Sequence, residues 1–126
     1  MSASRPSLRT KWLSALRSGR FAQARNYLRS DDQRCCLGVL CDLWAEDHPG
    51  SWGPGNYDSE FAFTAGGESV SHMPQLFVLE AVGLSIDEAT VLAARNDKGF
   101  SFAEIADIIE RGDIMGESED EVPPHA

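Results

Sequence analysis

Apolar residues recur with the period of an α-helix along much of this chain. The most apolar stretch is Cys35-Cys36-Leu37-Gly38-Val39-Leu40-Cys41-Asp42-Leu43-Trp44. Wound at about 100° per residue, Leu37, Leu40, Cys41 and Trp44 share one face, Cys36 and Leu43 extend it, and Val39 covers part of the back. A helix apolar over most of its circumference belongs at the centre of a fold. The pattern therefore predicts a core helix over roughly residues 36–47. Gly38 would permit a close crossing with a neighbour, and Asp42 and Glu46 mark the polar edge.

Two shorter helices are expected before it. Leu8, Trp12, Leu13 and Leu16 recur at helical spacing behind Ser7, a fitting N-cap. After a break at Ser18-Gly19, Phe21, Ala24 and Leu28 form a second stripe, which would leave Arg20, Arg25 and Arg29 near its polar side. Ser30-Asp31-Asp32-Gln33 reads as a turn. His48-Pro49-Gly50 ends the central helix, and the Gly- and Pro-rich residues 48–60, with Trp52 and Tyr57 among them, read as an irregular loop. Residues 60–71, with Gly66-Gly67 in the middle, resemble a small hairpin. Helix returns from Pro74 to Val82, then behind the capping boxes Ser85-Ile86-Asp87-Glu88 and Ser101-Phe102-Ala103-Glu104. Residues 116–126, Gly-Glu-Ser-Glu-Asp-Glu-Val-Pro-Pro-His-Ala, read as a disordered acidic tail. The expected fold is mainly α: a compact single-domain helical bundle over 1–115, with about five to six short helices and one small β-hairpin.

Composition narrows the setting. No apolar run approaches the roughly 18 residues that span a bilayer, and the N-terminus lacks an apolar signal-peptide core. Three cysteines, an odd number, suit a reducing compartment, so a cytoplasmic protein is expected. The net charge of −9 is uneven. Residues 1–34 carry eight cations (Arg5, Arg9, Lys11, Arg17, Arg20, Arg25, Arg29, Arg34) against Asp31 and Asp32, or +6. The remainder carries three cations against eighteen acids, or −15. A basic head can bind nucleic acid, but it can equally pack on the acidic body and neutralise it. Net negative charge favours the second outcome.

The cysteine cluster invites a chemical role. Structural zinc sites use Cys pairs two to four residues apart, whereas on a helix Cys36 and Cys41 point about 140° apart and Cys35 and Cys41 about 120° apart. They read better as small buried hydrophobes, with no metal and no cofactor. Cys35 keeps an option as a reactive thiol: it sits at the helix N-terminus beside Arg34, although Asp31 and Asp32 oppose a thiolate and no histidine is tied to it. Residues 85–110 could suggest a helix-turn-helix, but the second helix carries Glu104, Asp107 and Glu110 where base-reading and phosphate-binding side chains belong. Asn96-Asp97-Lys98-Gly99 lacks calcium-loop spacing. Trp52 and Tyr57, in a loop, are residues favoured in protein contacts.

Three segments resemble a group of small uncharacterised proteins of tailed bacteriophages and prophages. They are Lys11–Gly19 with Leu28-Arg29-Ser30, the run Cys35–Leu43, and Leu92–Gly99 with Ser101–Ala106. The CCLGVLCDL-type run is the specific part. The resemblance implies expression in a bacterial cytoplasm and supplies no mechanism. The expected function is a non-enzymatic interaction protein that binds a host or phage protein, for instance as an inhibitor of a host defence or nucleic-acid enzyme. Its contacts would be Trp52, Tyr57, Arg20, Arg25 and Arg29. The alternatives are a nucleic-acid binder using the basic head and a cysteine-dependent enzyme or zinc protein using Cys35. Nothing in the chain specifies an oligomeric state.

Overall fold

A computed structural model describes residues 7–55 and 60–115. In chain order they form α1 (Leu8–Ser18), β1 (Ala22–Gln23), β2 (Arg29–Ser30), β3 (Gln33–Arg34), α2 (Cys36–Trp44), β4 (Ser51–Pro54), β5 (Glu60–Ala65), β6 (Glu68–Val70), α3 (Leu76–Glu80), α4 (Ile86–Asp97) and α5 (Phe102–Arg111). The expected acidic tail and Tyr57 lie outside the described residues.

This is an α/β fold, which corrects the expectation of a mainly helical bundle with one hairpin. The sheet is mixed and six-stranded, in the order β1-β3-β2-β5-β4, with β6 on β5. Of these strands only β5 and β6, joined through Gly66 and Gly67 at φ 58° and 81°, match the expected hairpin. Positive φ at both turn positions is what a tight two-residue hairpin requires and glycine supplies. β5 also pairs with β2, matching Arg29 with Phe61, and with β4, matching Trp52 with Phe63. β4 lies in the expected loop.

The helix expected over residues 21–29 does not form. Asn26 and Asp31 adopt left-handed backbone, φ 73° and 51°, which ends any right-handed helix there. Ala24 and Leu28 are still buried, so the apolar stripe is real, but loop and strand deliver it to the core.

α2 is the central element. Cys36, Leu37, Gly38, Val39, Leu40, Cys41, Leu43 and Trp44 are all buried. α1, α3 and α4 pack around it, and Trp44 meets the sheet edge-on at Phe63, ring centroids 6.2 Å apart. Gly38 makes the close approach that its position suggested: a Cβ there would lie 1.9 Å from the Leu28 carbonyl oxygen. The N-terminus of α2 has no cap from its own Cys35. A remote side chain supplies one, because the Cys36 N–H donates to Asn96 Oδ1 of α4 at 3.2 Å. α4 and α5 each begin with a complete capping box, at Ser85/Glu88 and Ser101/Glu104.

The basic head largely serves the fold. Arg9 donates to the Val82 and Ile109 carbonyls, at 2.8 and 3.1 Å. Arg17 bridges Asp107 and Glu110 of α5, at 2.6 and 2.9 Å. Lys11 faces Glu46 at 3.5 Å. Arg17 thus occupies the acidic side of α5, the helix that a DNA-reading role would leave free for a groove.

Candidate functional site

A cluster of charged and aromatic side chains lies where β2, β3, β4 and β5 meet the polar edge of α2. Asp42 organises it. The eight other residues of α2 are buried, so its carboxylate emerges on the one open side of the helix. One oxygen accepts from Trp52 Nε1 at 2.6 Å and the other from Arg34 Nε at 2.6 Å. Arg34 also donates to the Asp32 carbonyl at 2.9 Å, and its guanidinium lies 5.9 Å from the Trp52 ring. With both carboxylate oxygens engaged, the indole is held at its N–H end.

Arg29 completes the cluster. Strand pairing sets it opposite Phe61, and its guanidinium lies 4.1 Å from the Phe61 ring centroid and 5.7 Å from that of Trp52. Its Nε donates to the Asp31 carbonyl at 2.7 Å. Among the described residues no carboxylate pairs with it. Burial, and after it the charge of Arg34, lowers the pKa of Arg29, although a guanidinium remains charged at any physiological pH. Arg29, Trp52 and Phe61 are each half-buried. They place two aromatic rings and a guanidinium side by side, groups that can stack on or hydrogen-bond to another molecule at little ordering cost.

Of the residues expected at the contact, Trp52 and Arg29 therefore come together. Arg20 and Arg25 do not join them. The helix that would have aligned all three arginines is absent. Arg20 lies 5.4 Å from the Phe21 ring and lines a separate recess with Lys11, Ser14 and Glu46. Arg25 is exposed in the turn after β1. Phe61, an aromatic just beyond the expected contact loop, joins the cluster, and so does Arg34, which was not expected there. Asp42, a single carboxylate inside the apolar run, was the visible signal that a polar group must meet partners beside the core.

The thiols offer no chemistry of this kind. Cys35 is 5% exposed, and burial pushes its pKa up from 9.0 to about 11, outweighing the amides of Gly38 and Leu37 that favour the thiolate. Arg34, the expected activator, is turned to Asp42. Cys36 and Cys41 are fully buried, and burial first of all pushes their thiols well up too. Among the described residues no three His, Cys, Asp or Glu side chains are grouped to hold a metal ion.

A rise from 9.0 to about 11 leaves about a hundredfold less thiolate on Cys35 at neutral pH. Native protein should therefore react with iodoacetamide at least about a hundredfold more slowly than urea-unfolded chain, followed by mass spectrometry. Labelling of Cys35 at the unfolded rate would contradict this burial. The folded value lies above the unfolded one, so this thiol's contribution to stability is complete below about pH 9 and is lost as pH rises towards 11.

Over residues 4–113 the sequence matches the family model of a domain of unknown function, DUF8296. The chain belongs to that family. The match spans every element from α1 to α5, including the Asp42–Trp52–Arg29 cluster. No curated protein and no solved structure matches the chain. Among the described residues no helix is long and apolar enough to cross a membrane.

Proposed function

We propose that this DUF8296 member is a non-enzymatic interaction protein that docks a partner protein through Arg29, Trp52 and Phe61. The observation that carries this is the Arg29 guanidinium stacked 4.1 Å from Phe61 beside an indole anchored on Asp42. Trp and Arg supply a large share of binding energy where proteins meet, and side chains already held in place lose little entropy on binding. Local charge favours a protein over nucleic acid. Arg29 and Arg34 are matched by Asp31, Asp32 and Asp42, so the cluster lacks the net positive field that binds phosphates. The likeness of the Cys35–Leu43 run to phage proteins supports a phage origin, action in a bacterial cytoplasm, and a host or phage protein as partner. A host defence or nucleic-acid enzyme is one such target, because the acidic body complements a surface built for nucleic acid.

The test is affinity capture from bacterial lysate with the full chain, Arg29→Ala and Trp52→Ala, with urea unfolding checking that the variants fold. A partner held by the parent chain should be retained at least about tenfold less by either variant. Equal retention by all three would exclude this surface. Salt-sensitive capture of DNA or RNA that depends on Arg20 and Arg25 would favour a nucleic-acid role for the basic head.

A further inference from the structure

A second site lies away from this cluster, in a cavity of about 240 Å³ between the loop after β1, the segment before α3, and α4. Its apolar lining includes Cys35, Met73 and Ala93, and its polar lining includes Tyr27, His72, Thr90 and Asp97. Asn26 ties two of these walls together. In left-handed backbone, φ 73°, its N–H donates to Asp97 Oδ1 at 2.8 Å, and its carbonyl accepts from His72 Nδ1 at 2.9 Å. The His72 ring lies against Tyr27, centroids 5.1 Å apart. The walls are thus fixed by contacts across 46 and 71 residues of sequence.

The chemistry of this lining is one-sided. His72 donates through Nδ1 to Asn26, and its Nε2 lies 4.0 Å from the buried Glu60 carboxylate. Asp97 is an exposed carboxylate. The Thr90 hydroxyl donates to its own helix, to the Ile86 carbonyl at 2.8 Å. Among the described residues that line the cavity there is no Lys or Arg. A carboxylate and an aromatic ring in one cavity with a thiol, a thioether and a methyl group suit a cation carrying a hydrocarbon group. The excess of acids over residues 35–126 draws cations towards it at long range.

We propose that this cavity binds a small organic ammonium ion, the ammonium at Asp97 and Tyr27 and the hydrocarbon part over Cys35, Met73 and Ala93. Taking about 30 Å³ for each water-sized portion, a cavity of about 240 Å³ holds a molecule the size of phenethylammonium. In this role the Cys35 thiol is an apolar surface and not a nucleophile.

The experiment is a methyl NMR titration of the full chain, following Met73, Ala93 and Thr90. The probes are phenethylammonium, neutral 2-phenylethanol and anionic phenylacetate. Saturable shifts of these methyls are expected with phenethylammonium. Affinity should be roughly fivefold or more lower for each of the other probes, and for phenethylammonium against Asp97→Asn. Asparagine keeps the Oδ1 acceptor for Asn26, and the spectrum itself reports whether the variant folds. Tyr27→Leu, a second variant, should also weaken the cation and not 2-phenylethanol. Equal binding of the three probes, unchanged affinity in both variants, or no saturable shift below about 10 mM would overturn the proposal.

Discussion

Replacing Gly38 by alanine is expected to cost about 3 kcal/mol of folding stability or more. The added Cβ would stand 1.9 Å from the Leu28 carbonyl oxygen and 2.9 Å from its carbonyl carbon. Neither is the free end of a side chain that could swing away. That carbonyl also accepts the Cys35 N–H at 3.1 Å, so the backbone of Leu28 is held against the start of α2. Relief requires α2 to lift off the chain around β2, which would loosen Leu37, Val39 and Leu40 together. Alanine normally favours a helix interior over glycine by up to about 1 kcal/mol. The expected sign is therefore the reverse of the local preference, and urea unfolding reads it directly. A loss below about 1 kcal/mol would mean that this contact is not as tight as the structure has it.

Asn96→Ala should cost a similar amount, about 3 kcal/mol, by a different route. Asn96 is fully buried and joins three segments. Its Nδ2 donates to the Ala24 carbonyl at 2.7 Å, while Oδ1 accepts from Gln23 Nε2 at 2.9 Å and from the Cys36 N–H at 3.2 Å. Truncation leaves a buried donor at the first turn of α2 and a buried acceptor at Ala24, each costing about 1–3 kcal/mol. Gln23→Ala is the control. Gln23 is half-buried and also bonds the Phe100 carbonyl, so its loss should cost about 1 kcal/mol. Equal effects of the two variants in denaturant unfolding would show that Asn96 is not the junction described here.

These two residues show how much of the fold was legible in the chain. Gly38 stood out because a glycine within an apolar helix needs a reason, and close approach is the usual one. Asn96 did not stand out. It sits in Asn96-Asp97-Lys98-Gly99, which reads locally as a turn, and its partners are 60 and 72 residues away. The sheet was hidden for a related cause. β1, β2 and β3 are two residues each, too short for alternation to register, and they hold polar residues such as Gln23, Arg29, Gln33 and Arg34.

The candidate site divides the same way. Trp52 and Arg29 were recognisable separately, one as an aromatic in a loop and the other as an arginine of the basic head. Their meeting depends on β2 and β4 pairing with β5, Arg29 opposite Phe61 and Trp52 opposite Phe63. Arg20 and Arg25 were grouped with Arg29 because a helix was expected through them. The left-handed turn at Asn26 separates them.

The central helix with its buried cysteines, the hairpin around Gly66-Gly67 and the two capped helices near the C-terminus were legible in the chain. Each of these follows from forces acting within a few residues: apolar periodicity, side-chain caps and glycine's freedom at positive φ. Long-range packing set the rest: the head folds partly as sheet, burial raises the pKa of Cys35, and Asp42 gathers Trp52 and Arg34 beside Arg29. Those outcomes depend on desolvation and hydrogen bonds between distant segments, where local preference is weaker than the demand that every buried polar group find a partner.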